Sequence, residues 1–78
     1  MNDFESVVAK CDCDCLAGFM EGGDPNAPEP GANHSACYRH GFTVARANAG
    51  KAPERPAFVW RMEFSEARVE DMRAMGIL

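Results

Sequence analysis

Four cysteines and two histidines are the residues of this chain whose thiol and imidazole groups could bind a transition metal or supply a soft nucleophile. They form two groups, one at alternate positions and one at steps of three residues: Cys11, Cys13 and Cys15, then His34, Cys37 and His40. In a helix, Cys11 and Cys15 lie one turn apart on one face, while Cys13 projects from roughly the opposite side. The first three thiols therefore do not converge on one ion.

Zinc is the ion that thiolate and imidazole groups bind most readily, and its structural sites use cysteine pairs separated by two to four residues. The cysteines instead suit a core, where free cysteine is commonly found. We expect this second role for Cys11, Cys15 and Cys37, with no bound cofactor. The alternative is a zinc-stabilised interaction domain with five ligand candidates: Cys11, Cys15, His34, Cys37 and His40.

An enzyme is not expected. A cysteine nucleophile would need His40 as its base, and no orienting motif accompanies that histidine. A chain of 78 residues also leaves little room for a substrate cleft. The sequence therefore indicates a protein that works by shape and charge.

The charge of the chain is −4 and is unevenly distributed. Residues 1–30 carry seven acids and one lysine, whereas residues 31–61 carry five bases and one acid. Such an acidic segment could dock on a basic surface and stand in for the phosphates of a nucleic acid. Five bases are too few for direct nucleic-acid binding to be expected. The expected partner-binding residues are four acids and an aromatic anchor: Asp3, Asp14, Glu21, Asp24 and Trp60.

The first element is predicted to be an acidic amphipathic helix near 3–21. Apolar residues recur at the helical period from Phe4 to Phe19, and Asn2 with Glu5 resembles a capping box. Gly22 and Gly23 are expected to end the helix, since glycine suits a left-handed cap. A loop rich in glycine and proline follows over 22–33.

The second half of the chain is less clearly patterned. Residues 34–50 contain either a helix near 35–47 or a strand over 38–46, and residues 51–56 form a proline linker. Apolar residues alternate over 57–64, which predicts a strand, and Ser65 is expected to cap a short helix over 66–75 that ends at Gly76. We expect one small domain over 1–78 that is mainly α with one strand. The alternative is an α+β fold with a hairpin of 38–46 and 57–64.

Residues 18–23 (GFMEGG), Pro25-Asn26 and residues 36–42 (ACYRHGF) carry a family resemblance. Over roughly residues 15–51 the chain resembles the ribosome modulation factor-like small proteins and their phage-borne relatives. The resemblance implies a two-helix hairpin and a protein that sits on a nucleoprotein machine.

We therefore expect a non-enzymatic, plausibly phage-encoded inhibitor that blocks or modulates a host nucleic-acid machine. Its two concrete versions are anti-CRISPR mimicry of nucleic acid and ribosome modulation. The partner would be a host protein or ribonucleoprotein complex with a basic surface, and a homodimer would help so small a chain to bury apolar surface. The acidic N-terminus and the short apolar runs predict a cytoplasmic protein without a membrane partner.

Overall fold

The computed structural model describes residues 3–50 and 53–77, apart from the side chains of Asp3, Phe4 and Val7. These residues form three helices, α1 (Asp3–Gly22), α2 (Ala36–Asn48) and α3 (Ala57–Ala74). The mainly α architecture is confirmed, and α1 and α2 lie within one residue of their predicted bounds. The capping box predicted at Asn2 lies outside the described residues.

No strand is found in the described ranges, so the strand over 57–64 and the hairpin with 38–46 are wrong. Residues 57–74 are instead one continuous helix. Ser65 does not cap a helix, because it lies in the middle of α3 and its hydroxyl donates a hydrogen bond to the carbonyl of Arg61. The predicted short helix over 66–75 is the second half of this longer one.

Glycines allow the backbones of α1 and α2 to pack in direct contact. A Cβ added to Gly18 would lie 2.0 Å from the carbonyl oxygen of Tyr38, and one added to Gly41 would lie 2.0 Å from that of Cys15. Gly22 packs in the same way against Phe42. Gly22 has no positive φ, so its predicted role as a left-handed cap is wrong. It provides space for the neighbouring helix.

The first two helices run in the same direction. Cys11 lies beside Cys37, Cys15 meets Gly41, and Gly22 meets Ala45. The long loop over 23–35 makes this arrangement possible, because it carries the chain from the C-terminal end of α1 back to the level of Asp14, where α2 begins. The pair is therefore not the antiparallel hairpin that the family resemblance implied. Arg46 fastens the loop by donating to the carbonyl of Ala27.

The third helix runs antiparallel to both of the others. Near its C-terminal end Asp71 contacts the start of α2, and near its N-terminal end Trp60 and Phe64 contact His40. Gly76 follows α3 with φ of +79°, and Ile77 donates to the carbonyl of Met72. This is the Schellman arrangement, and the prediction that α3 ends at Gly76 is confirmed.

None of the three described helices is both long and apolar enough to cross a bilayer.

Candidate functional site

The start of α2 is capped by two side chains, one local and one from a distant helix. Ser35 accepts a hydrogen bond from the Tyr38 amide, as an N-cap residue does. The carboxylate of Asp71 in α3 accepts hydrogen bonds from the two preceding amides, those of Ala36 at 2.8 Å and Cys37 at 3.1 Å. Three of the amides that a helix start leaves without partners are thereby bonded.

Two thiols lie against this carboxylate. The Sγ atoms of Cys11 and Cys37 and an oxygen of Asp71 all lie within 4.8 Å of one another, and all three residues are buried. Cys11 Sγ is 3.9 Å from Asp71 Oδ2. Each helix supplies one of these residues, which we call the thiol–carboxylate cluster.

Both thiols are held in their protonated form. Burial raises the pKa of Cys11 above its usual value, although its bond with Cys37 partly opposes that rise. Burial also raises the pKa of Cys37, and hydrogen bonding with Cys11 and Asp71 adds to it. Neutral thiols are poor nucleophiles, so this cluster does not resemble a cysteine active site.

A cavity of about 200 Å³ adjoins the cluster. Cys11 and Asp71 form part of its wall, which also includes the polar residues Asp14, His34 and Ser35 and the apolar residues Ala74 and Met75. Ser35 also donates to Asp14 at 2.8 Å. The cavity therefore connects the buried thiol–carboxylate cluster with polar groups near the surface.

An apolar groove of about 260 Å³ lies at the other end of the molecule. It lies between the C-terminal half of α1, the middle of α2 and the N-terminal half of α3. The groove is lined by Cys15 and Phe19 of α1, His40 and Val44 of α2, and Trp60, Arg61 and Phe64 of α3. Pockets for drug-sized ligands usually measure roughly 300–1,000 Å³, so this groove better suits a side chain of a protein partner.

Two exposed apolar side chains of α1 come directly after groove residues in the sequence. Leu16 is 61% exposed and Met20 is 71% exposed, and each follows a groove residue by about 100° around the helix. On the α3 side Arg61 makes no salt bridge within the described part of the chain. The groove is therefore bordered by an arginine on α3, whereas Leu16 and Met20 lie on the neighbouring, outward surface of α1.

The predicted acidic row on α1 is only partly free to meet a partner. Asp14 is half-buried and bonded to Lys10 and Ser35, and the side chain of Asp3 lies outside the description. Glu21 and Asp24 are exposed and form no salt bridge among the described residues. The acids that remain available are therefore concentrated at the C-terminal end of α1.

Trp60 is half-buried in the groove rather than standing as an exposed anchor. Its ring lies edge-on to His40, with the two ring centroids 6.0 Å apart. The guanidinium of Arg55 lies over the Trp60 ring, 5.1 Å from the ring centroid. Burial lowers the pKa of His40 and keeps that ring neutral. Trp60 thus forms part of the wall of the groove.

The five zinc-ligand candidates do not come together as one set. Cys11 and Cys37 meet, but His34 stacks on Tyr38 and His40 stacks on Phe64. Cys15 is half-buried at the groove. Cys11 and Cys37 do lie in the core, as expected.

Asp71 is the residue of the candidate site that the sequence did not predict. Its position in α3 was predicted to belong to a short terminal helix, and its partners lie 34 and 35 residues earlier in the chain. The only signal was an acid on the same helical face as Phe64 and Ala67. An acid on a core-facing position predicts a buried partner, but it does not identify that partner.

The arginines of α2 are bonded within the protein. Arg39 pairs with Glu70 at 3.0 Å. Arg46 donates to Ala27 and lies over the ring of Phe42. Neither guanidinium forms a free basic patch.

Comparisons with family models, curated proteins and solved structures found no match to this chain. The resemblance over residues 15–51 remains a prediction.

Proposed function

We propose that this chain is a non-catalytic binding protein that docks on a basic protein surface of a nucleic-acid machine and blocks or modulates it. The observation that carries the proposal is the apolar groove, together with the exposed Leu16 and Met20 on the outward surface of α1 next to it. Water-exposed methionine is common on surfaces that bind partner proteins, because its flexible side chain adapts to different shapes. The occupant we propose is an apolar side chain of the partner, with the partner's lysines or arginines meeting Glu21 and Asp24 rather than the Arg61 side of the groove.

The charge of the molecule supports a basic partner. The net charge is −4, and Glu21 and Asp24 follow the groove residue Phe19 at the same end of α1. Complementary charge raises the rate of association and fixes the orientation of the two surfaces, while buried apolar contacts supply most of the affinity. Machines that bind nucleic acid carry such basic surfaces. An inhibitor of the anti-CRISPR type would use one by occupying it.

The proposal is tested by capturing partners in parallel with the wild-type protein, Met20→Asp and Met75→Asp. Both variants place the same charge on an exposed methionine, but Met75 lies at the end of the molecule opposite the groove. We expect quantitative mass spectrometry to find a nucleic-acid-binding protein that wild type and Met75→Asp retain. Met20→Asp should deplete it at least about tenfold, because a carboxylate must be desolvated at the contact.

Two further measurements test the charge of the partner. Glu21→Lys should weaken binding and reduce its salt dependence, whereas Glu66→Lys, on an exposed position of α3, should not. Added DNA or RNA should displace the protein from its partner. Equal capture by wild type and Met20→Asp, or a partner without a basic surface, would overturn the proposal.

A further inference from the structure

We infer that Cys11, Cys37 and Asp71 form a binding site for a thiolate-preferring divalent metal ion, and that Zn²⁺ is the ion its ligands fit best. Two cysteine sulfurs and one carboxylate oxygen are typical zinc ligands, and four-coordinate zinc accepts them in tetrahedral geometry. This site differs from the set of cysteines and histidines that the sequence suggested.

The distances are close to those that zinc requires. Tetrahedral bonds of about 2.3 Å to sulfur and 2.0 Å to oxygen place a sulfur and an oxygen about 3.5 Å apart, and two sulfurs about 3.8 Å apart. Cys11 Sγ and Asp71 Oδ2 are 3.9 Å apart, and no pair in the thiol–carboxylate cluster exceeds 4.8 Å. Small inward movements of the side chains would therefore bring all three ligands to an ion.

Asp71 can ligate an ion without giving up its role as a cap. Each of its oxygens accepts one amide hydrogen bond from α2, and a carboxylate oxygen has a second acceptor position. The hydrogen bonds from the Ala36 and Cys37 amides would then fix the orientation of the Asp71 carboxylate. Metal sites commonly use such outer hydrogen bonds to orient the residues that bind the ion. The carboxylate is held in place before the ion arrives.

The surroundings provide access and charge balance. The adjoining cavity reaches Cys11 and Asp71, so a water molecule can take the fourth position. Two thiolates and a carboxylate would exceed the charge of Zn²⁺ by one. Lys10 and Arg68 lie close enough to act on Cys11 electrostatically, and the positive end of the α2 dipole faces the cluster.

Binding must release protons. Each thiol loses its S–H proton to solvent as its sulfur–metal bond forms, so one ion displaces two protons, and affinity rises with pH. Because the three ligands come from α1, α2 and α3, the ion would connect all three helices. A chain of this size gains much from such a connection, since its core alone is small.

The full chain is titrated with Zn²⁺ against a chromophoric chelator and with Co²⁺ as a spectroscopic probe. We expect one ion per chain, a rise in Tm with added Zn²⁺, and a thiolate-to-cobalt charge-transfer band. Cys11→Ser should abolish the band and lower affinity at least a hundredfold. Cys13→Ser should change neither, because Cys13 is exposed on the far side of α1.

The pH dependence of binding provides a second measurement that does not depend on any variant folding. The wild-type zinc affinity should rise up to about a hundredfold per pH unit while both thiols are protonated. The inference is overturned if wild type gives no thiolate band, or if Cys13→Ser loses the band as Cys11→Ser does. Micromolar or weaker binding that is independent of pH would overturn it as well.

Discussion

At the scale of single residues, the fold depends on positions where a side chain would not fit. The backbones of α1 and α2 meet at Gly18 and Gly41, each of which faces a carbonyl group of the other helix. Glycine in a helix interior costs roughly 1 kcal/mol relative to alanine, so these glycines are retained at a cost. The close contact between the helices offsets that cost through dense packing.

We predict that Gly18→Ala destabilises the protein by at least about 2 kcal/mol. The new Cβ would lie 2.0 Å from Tyr38 O, which is backbone and cannot rotate away, so the helices must separate. Gly23→Ala is the matched control, because its Cβ would lie 3.4 Å from the nearest atom. Urea denaturation measures both free energies of unfolding. A loss in Gly18→Ala no larger than that in Gly23→Ala would contradict the close packing.

The sequence predicted which cysteines are buried, but it did not predict that Cys11 and Cys37 contact each other. The helical stripe on α1 predicts that Cys11 is buried and Cys13 exposed, and both are found so. That Cys11 lies beside Cys37 follows only from the direction of α2, which a long loop leaves open. Asp71 joins them from a third helix. Spacing within one helix cannot predict a cluster assembled from three.

At the scale of elements, α3 shows why alternation was mistaken for a strand. Trp60, Phe64 and Ala67 face the other helices, while Phe58 and Met62 lie on the opposite face and are exposed. A helix with apolar residues on both faces has no single apolar stripe, so its sequence loses the 3.6 period. Over four apolar positions, the remaining pattern has the period of two that is typical of a strand.

Two serines distinguish a true helix start from a false one. We predict that Ser35→Ala costs about 1 kcal/mol, because Ser35 bonds the Tyr38 amide and Asp14. Ser65→Ala should change stability by less than about 0.5 kcal/mol or stabilise slightly, since alanine favours a helix interior. Thermal or urea unfolding compares the two. A larger loss at Ser65 would indicate that a helix starts there and that α3 is not continuous.

At the scale of the whole molecule, the two ends of the bundle have different chemistry. One end holds the thiol–carboxylate cluster and its adjoining cavity, where all three helices are joined by hydrogen bonds. At the other end the three helices line the apolar groove. The long loop over 23–35 is responsible for this division, because it sets the direction of α2. Composition predicted a binding module, but the position of its groove depends on helix order in space.

The groove also predicts how the stability of the whole molecule responds to pH. His40 lies between Trp60 and Phe64, and burial lowers its pKa from 6.5; Glu63 opposes that shift and Arg55 adds to it. The unfolded chain therefore binds a proton at a higher pH than the folded one does. The free energy of unfolding should therefore be unaffected by His40 above pH 6.5 and should decrease as the pH falls below that value.

The loss of stability caused by protonation of His40 can be distinguished from the loss caused by protonation of acidic side chains. Burial raises the pKa of Asp14, but hydrogen bonds from Lys10 and Ser35 outweigh it and lower the pKa below 3.8, so its contribution is lost only below about pH 4. We predict that His40→Phe removes the decrease between pH 7 and about pH 5 and leaves the acid loss intact. Urea midpoints measured across this range test it. A wild-type midpoint that stays constant from pH 7 to about pH 5, or a decrease that persists in His40→Phe, would show that the groove does not hold this imidazole neutral.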